Sequence, residues 1–340
     1  MNIMKKLTIA LPIILIVSTV SCSTPDHKRS IPSADLAVFS DIDSLTLYDS
    51  VSINDVFDVS NWSLSDDRLK IHQRGNKSII RIYHWPDGDF MFGGLDQGEG
   101  PDEFYVVNPA DASDKNEMLM YDIMKRHTMT YNVGGDTILP GVAYKLPVDQ
   151  DGMTLPYTYI SQISDSVFLM KMDSDNKSSW QLVDLKSQKQ LWEYDNKLRD
   201  SLKSYTPFDF IQSVNGSTLV AAYRYMDLVE FYNFSLTEGL THANSYGKYA
   251  DLSEIDNYNN LRNYSLSAFS YDGRCYILKS GDSGEFGNIV EIYDLSDRLP
   301  KKKVYLDRHI VSINHDSEGN LIGYAPKNES SVFYIWKLPN

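Results

Sequence analysis

Cysteine is almost missing from this 340-residue chain, which has two, Cys22 and Cys275. A disulfide framework and a thiolate zinc site each need several cysteines at set spacings, so neither is available. Positive charge is scarce too: 32 lysines and arginines stand against 46 aspartates and glutamates, a net charge of -14. Such a surface repels phosphate backbones and excludes nucleic acid as a partner. Helical periodicity is weak, its best candidates being short segments at 196–203 and 250–261. No Gly-x-Ser-x-Gly elbow occurs, and the 7 histidines never fall in a His-Glu-x-x-His pattern. Long apolar runs are limited to one, from Leu7 to Val20, which is too short to span a bilayer as a helix.

That run follows Lys5 and Lys6 and leads through small residues to Cys22, the layout of a secretory leader. Thr19-Val20-Ser21-Cys22 resembles a bacterial lipobox, with Thr19 where leucine is usual; cleavage would leave Cys22 as an acylated N-terminus. The alternative is an ordinary leader cut near Ser23 that discards Cys22. These readings give a signal peptide over 1–21, a polar, proline-punctuated tether over 22–40 and a folded body over 41–340. Cys275, flanked by Tyr276-Ile277-Leu278, reads as a buried thiol on a strand.

What the chain has in quantity is short β-runs rich in its 23 tyrosines and 13 phenylalanines. Each is bounded by Asp, Asn, Gly, Ser or Pro. A repeat links Met120-Tyr121-Asp122, Leu182-Val183-Asp184, Phe231-Tyr232-Asn233, Ile292-Tyr293-Asp294 and Ile335-Trp336-Lys337, whose third positions lie 62, 49, 61 and 43 residues apart. That is the size of a four-stranded propeller blade with long loops. Six units are expected, at 62–95, 104–148, 157–195, 207–247, 265–306 and 308–340. The last runs out of chain before its outer strand. Because a ring must close, the segment from Leu45 to Ile53 is expected to supply that strand.

The densest turn is Gly93-Gly94-Leu95-Asp96-Gln97-Gly98-Glu99-Gly100-Pro101-Asp102-Glu103-Phe104, with four of the 19 glycines in eight residues. It is expected to carry the chain from the first blade to the second, with Gly98 and Gly100 at positive φ and Phe104 plugging the junction. Its carboxylates, Asp96, Glu99, Asp102 and Glu103, are candidate ligands for a cation or a polyol near the channel mouth, or else acceptors for the turn's own N–H groups.

Phe92-Gly93-Gly94, Gly98-Glu99-Gly100-Pro101-Asp102-Glu103-Phe104, Asn108-Pro109 and Met120-Tyr121-Asp122 together resemble the TolB-like six-bladed β-propeller lipoproteins of Bacteroidetes-type bacteria. Asp102 stands where that family often has glycine. The resemblance implies an all-β, six-bladed propeller held at the cell envelope of a Gram-negative bacterium as an outer-membrane lipoprotein, periplasmic or surface-facing. It implies no reaction. Asp-Ser/Thr-aliphatic triplets at Asp43, Asp49, Asp136, Asp165 and Asp200 look like the O-glycosylation acceptors of the same phylum.

Further motifs point to turns. Gly281-Asp282-Ser283-Gly284 matches the nucleophile region of trypsin-like proteases, but Glu285 replaces the next glycine. Asp149-Gln150-Asp151-Gly152 and Asp173-Ser174-Asp175-Asn176 alternate oxygen ligands without the terminal glutamate of a calcium loop. Tyr223-Arg224-Tyr225, Phe231 to Phe234, Tyr258-Asn259-Asn260 and Tyr264 to Tyr276 mix rings and amides, as stacking sites do and as inter-blade seams also do. The leading expectation is a monomeric, lipid-anchored binding or interaction module without a cofactor, whose partner is a protein, peptide or glycan polymer. The alternatives are a channel-centred hydrolase or lyase of lactonase type using calcium or another divalent cation, and an envelope assembly factor.

Overall fold

The computed structural model describes residues 34–338 apart from 75–77, 101–102, 106, 111–115, 123, 149–151, 154, 156, 175–176, 196–209, 250–260, 282–283 and 329. Cys22, Asp102, Asp149, Asp151 and nearly all of both helix candidates lie outside the described residues.

Strands make up the regular structure, and they form six sheets. Two appear before the first blade, β1 (Asp41–Leu45) and β2 (Asp49–Asn54). Blade 1 is β3 (Val59–Ser65), β4 (Arg68–Gln73), β5 (Ser78–His84) and β6 (Phe90–Asp96). Blade 2 is β7 (Val107–Ala110), β8 (Glu117–Asp122), β9 (His127–Gly134) and β10 (Thr137–Lys145). Blade 3 is β11 (Tyr157–Ser164), β12 (Val167–Ser174), β13 (Lys177–Asp184) and β14 (Lys189–Asp195). Blade 4 is β15 (Phe210–Asn215), β16 (Thr218–Tyr223), β17 (Leu228–Ser235) and β18 (Gly239–Gly247). Blade 5 is β19 (Ser265–Tyr271), β20 (Arg274–Lys279), β21 (Gly287–Asp294) and β22 (Pro300–Ile310). The chain ends with β23 (Ser312–His315), β24 (Leu321–Lys327) and β25 (Ser330–Trp336). The architecture is a six-bladed β-propeller.

Burial explains the ring. Six buried apolar clusters sit one at each junction, as at blades 4 and 5, where Val220, Ala222 and Phe231 meet Cys275, Ile277 and Tyr293. Each middle strand therefore buries both faces, and β16 is buried at all six positions. The tyrosines of Tyr223, Tyr232 and Tyr276 are seam-fillers, each under 5% exposed. Cys275 is fully buried, and burial pushes its thiol up to about 12, so it is inert.

Blade 6 closes as the sequence implies: β2 pairs antiparallel with β25, from Asp49↔Ile335 to Asn54↔Ser330. The segment from Leu45 to Ile53 is divided, however. Its first residue ends β1, which pairs in parallel with β22 as a fifth strand of blade 5. Between the two strands, Leu47 N donates to the Asp307 carboxylate at 3.1 Å, and Trp336 Nε1 donates to the same carboxylate at 3.1 Å. Upstream, Asp35 N donates to Ser245 O at 2.9 Å and Gly247 N to Asp35 O at 2.8 Å, while Phe39 packs edge-on to Tyr293. Residues 34–54, which include the end of the sequence-assigned tether, thus form a strap that crosses the outer strands of blades 4 and 5 and then becomes the outer strand of blade 6.

The repeat needs one correction. Leu182-Val183-Asp184, Phe231-Tyr232-Asn233, Ile292-Tyr293-Asp294 and Ile335-Trp336 lie on third strands, but Met120-Tyr121-Asp122 lies on β8, a second strand. Both strand types end in a hairpin that an aspartate caps: Asp122 accepts from Lys125 N at 3.0 Å, and Asp184 from Lys186 N at 3.1 Å. The shared turn chemistry made two different strands look equivalent. The third strands of blades 1 to 4 end at His84, Gly134, Asp184 and Ser235, a spacing of 50, 50 and 51 residues.

Candidate functional site

The glycine-rich turn leaves blade 1 at Asp96 and joins blade 2 through Phe104, which is 1% exposed in the cluster of Ile80, Ile82, Met120 and Tyr131. Phe104 is the junction plug the sequence implies. The glycines act differently from expectation. Gly98 and Gly100 are absent from the positive-φ residues, and it is Leu95 that adopts φ 60. Glycine instead leaves room for the Glu103 side chain to fold over the turn: its carboxylate accepts from Gly100 N at 2.8 Å, and a Cβ at Gly98 would displace it. Lys125 Nζ then donates to Gly100 O at 2.5 Å and to Glu103 O. Glu99 is exposed, Asp96 and Glu103 are half-buried, and none of the three lines the central channel.

The channel is a concavity of about 960 Å³, walled by the first strands of blades 1 and 3 to 6, by β8 of blade 2 and by part of β4. Six strands converging on one axis leave room for small side chains, and serine recurs there: Ser60, Ser63, Ser161, Ser213, Ser267, Ser270 and Ser312. Many of these hydroxyls join blades. Ser213 and Ser270 hydroxyls are 2.6 Å apart across blades 4 and 5, Ile313 N donates to Ser267 Oγ at 3.1 Å across blades 5 and 6, and Trp62 Nε1 donates to Ser312 Oγ at 2.7 Å across blades 6 and 1. The sequence reading missed this wall. Its signal is one or two Ser or Gln residues flanked by Ile or Val in first strands, as in Ile160-Ser161-Gln162-Ile163 and Val311-Ser312-Ile313.

At the end where the first strands begin, loops bring Arg224, Asn263 and Glu285 to the channel. Arg224 follows β16 and is tied to blade 5 by Tyr264 N donating to its carbonyl at 2.6 Å. Asn263 Nδ2 donates to Gly284 O at 2.6 Å, which fixes the loop that carries Glu285. Gly281 and Gly284 flank the protease-like motif, whose Asp282 and Ser283 lie outside the described residues; Gly281 N donates to Phe286 O at 2.9 Å and Gly284 N to Gly281 O at 3.2 Å, as in an ordinary turn.

Ser60 and His72 also face the channel, with Ser60 Oγ against His72 Nδ1. Burial, with the Arg74 charge adding to it, pushes His72 down to about 4, so the imidazole is neutral at neutral pH. A serine beside a neutral histidine is half of a nucleophile–base pair. The other half fails: Nε2 is buried without a partner among the described residues, so no acid orients the ring. Ser60 Oγ also has the His72 carbonyl 3.3 Å away as an acceptor, the bond of a structural serine.

Other buried charges are internally matched. Glu230, 2% exposed between blades 3 and 4, accepts 2.6 Å hydrogen bonds from Tyr223, Tyr232 and Tyr249 hydroxyls. Asp173 binds Lys171 Nζ at 2.9 Å and accepts from Thr158 and Ser178 hydroxyls; burial alone would raise its pKa, but Lys171 and these bonds hold it below the usual carboxylate value. The Asp173 carboxylate is thus matched by an ammonium, and Asp175 and Asn176 of the same motif lie outside the described residues. Among the described residues no group of three or more His, Cys, Asp or Glu is arranged to hold a metal.

No protein-family model and no curated protein matches the chain. Two Bacteroides proteins are among the solved structures that share its fold. One is a putative exported protein from Bacteroides fragilis NCTC 9343, with a TM-score of 0.58 and 13% identity over 88% of this chain and 100% of that one. The other is a member of the DUF4221 family from Bacteroides vulgatus ATCC 8482, with a TM-score of 0.60 and 12% identity over 87% of this chain and 98% of that one. At such identities the likeness is one of fold alone.

Proposed function

We propose that this protein is an exported, lipid-anchored propeller of the cell envelope that acts as a binding module and receives a polymer, peptide or protein ligand at the mouth of its channel. The observation that carries the reading is the channel mouth, where Arg224, Asn263 and Glu285 offer a cation, an amide and a carboxylate above a hydroxyl-lined wall. Polar groups of both signs at a deep, preformed concavity suit a ligand with hydrogen-bonding groups along its length. The exported character of one structural neighbour, the leader, the lipobox at Cys22 and the resemblance to TolB-like lipoproteins support the location. The carboxylates of the glycine-rich turn, Asp96, Glu99, Asp102 and Glu103, are a subordinate part of the proposal, since Glu103 is engaged by its own turn.

A thermal-shift screen of glycans, peptides and divalent cations against the mature chain tests this. A ligand at one hundred times its Kd adds about 2.7 kcal/mol to the apparent stability. The expected outcome is a shift by a glycan or peptide that falls at least tenfold in potency in Arg224→Ala. A binder whose shift is unchanged in Arg224→Ala and Glu285→Ala overturns the channel-mouth site. A shift produced only by a divalent cation supports the hydrolase or lyase alternative.

A further inference from the structure

The strap has two faces. Its inward row, Ala37, Phe39, Leu45 and Leu47, packs on the cores of blades 4, 5 and 6. Its outward row contains Leu36, Val38 and Ile42, exposed by 84%, 72% and 67%. These are the three most exposed large hydrophobic side chains among the described residues, and they fall within seven positions of one another. Scattered single exposures need no explanation, but a row of aliphatics on one extended segment does.

Two observations say what covers it. The first is chain length. Leu36 is 14 residues beyond Cys22, and an extended chain spans at most about 3.6 Å per residue, so the row lies within about 50 Å of the anchoring residue. The second is charge. In a chain of net charge -14, the rim beside the row comes close to balance, three lysines against four carboxylates: Lys302 Nζ lies 3.0 Å from both Asp41 and Asp43, Lys301 lies 2.6 Å from Asp297, and Lys303 lies 3.1 Å from Glu291. An apolar row flanked by paired charges near a lipid anchor suits the interface of a bilayer.

We infer that Leu36, Val38 and Ile42 rest on the lipid surface to which Cys22 is attached, so that the rim of blades 4 and 5 lies against the membrane. The inference depends on the anchor reading above. It is tested on the full chain, expressed with its own leader and reconstituted in phosphatidylethanolamine vesicles that carry a nitroxide lipid. Cys275 is buried and an acylated Cys22 has no free thiol, so one introduced cysteine takes an environment-sensitive fluorophore selectively. The label is placed at Val38→Cys or, as a reference, at Leu139→Cys on the outer strand of blade 2. The expected result is a blue-shifted emission at position 38 and quenching several times greater than at 139. A vesicle-bound chain quenched equally at both positions overturns the inference and leaves the anchor standing. A blue shift at 38 without lipid quenching also overturns it, since protein rather than lipid then covers the row. If wild type and Cys22→Ser float with vesicles equally poorly, the anchor reading fails first and takes the inference with it.

Discussion

Blades 1 to 3 and blade 6 solve the same problem, how to hold an outer strand, in different ways. No residue is buried on β6, β10 or β14, the outer strands of blades 1, 2 and 3. The outer strand of blade 6, β2, alternates cleanly and buries Val51 and Ile53, with Val56 just beyond it 1% exposed. In the continuous blades a hairpin delivers the outer strand to its partner, so little loop entropy opposes pairing. In blade 6, Ile53 must find Ser331 from the far end of the chain, and the larger closure cost is offset by deeper burial. The strap extends the contrast, since it covers the outer strands of blades 4 and 5 and leaves those of 1 to 3 bare.

The largest expected effect breaks the ring at that point. Ile53→Asp places a charge in the closing seam and is expected to cost more than about 4 kcal/mol, enough to remove a cooperative urea transition. Phe92→Asp, on the half-buried outer strand of blade 1, is expected to cost about 1 to 2 kcal/mol. Equal losses would show that closure demands no more than continuity does. Next, Phe104→Ala empties the junction between blades 1 and 2 and is expected to cost about 3 to 5 kcal/mol by urea denaturation. A loss below about 1 kcal/mol would mean that the hairpins alone hold the bare half together.

The effect at His72 is absent at neutral pH and grows only toward acid. The pKa of this residue is about 4 in the folded protein against 6.5 for an ordinary histidine. Above pH 6.5 both states are neutral there and stability is independent of this group. As pH falls from 6.5 toward 4 the unfolded state takes up a proton that the folded state refuses, so stability drops through that window by up to about 3 kcal/mol. His72→Asn keeps a short polar side chain and is expected to flatten this part of the profile. An unchanged slope would assign it to the carboxylates.

Much of the scaffold was legible because strand and turn signals are local. Alternation and flanking Asp, Gly or Pro placed all six units, and the shortage of strands in the last one pointed to a closing strand near Leu45 to Ile53. Legibility failed where two local signals coincide, as at Met120-Tyr121-Asp122, whose capping aspartate imitates that of a third strand. It failed for the site because Ser213 and Ser270 are ordinary strand serines until the ring sets them 2.6 Å apart. Gly98 likewise looked like a residue chosen for its φ until the Glu103 carboxylate was found lying over it.

The sequence by itself determined the number of blades, their order and the need for an N-terminal closing strand, since period-2 burial and turn chemistry are properties of neighbouring residues. Only the tertiary structure decided that β1 runs parallel on blade 5, that hydroxyls stitch the channel wall, that Arg224, Asn263 and Glu285 share one mouth, and that Leu36, Val38 and Ile42 face outward. These depend on contacts between residues tens to hundreds of positions apart, and the packing of one blade on the next is what brings such residues together.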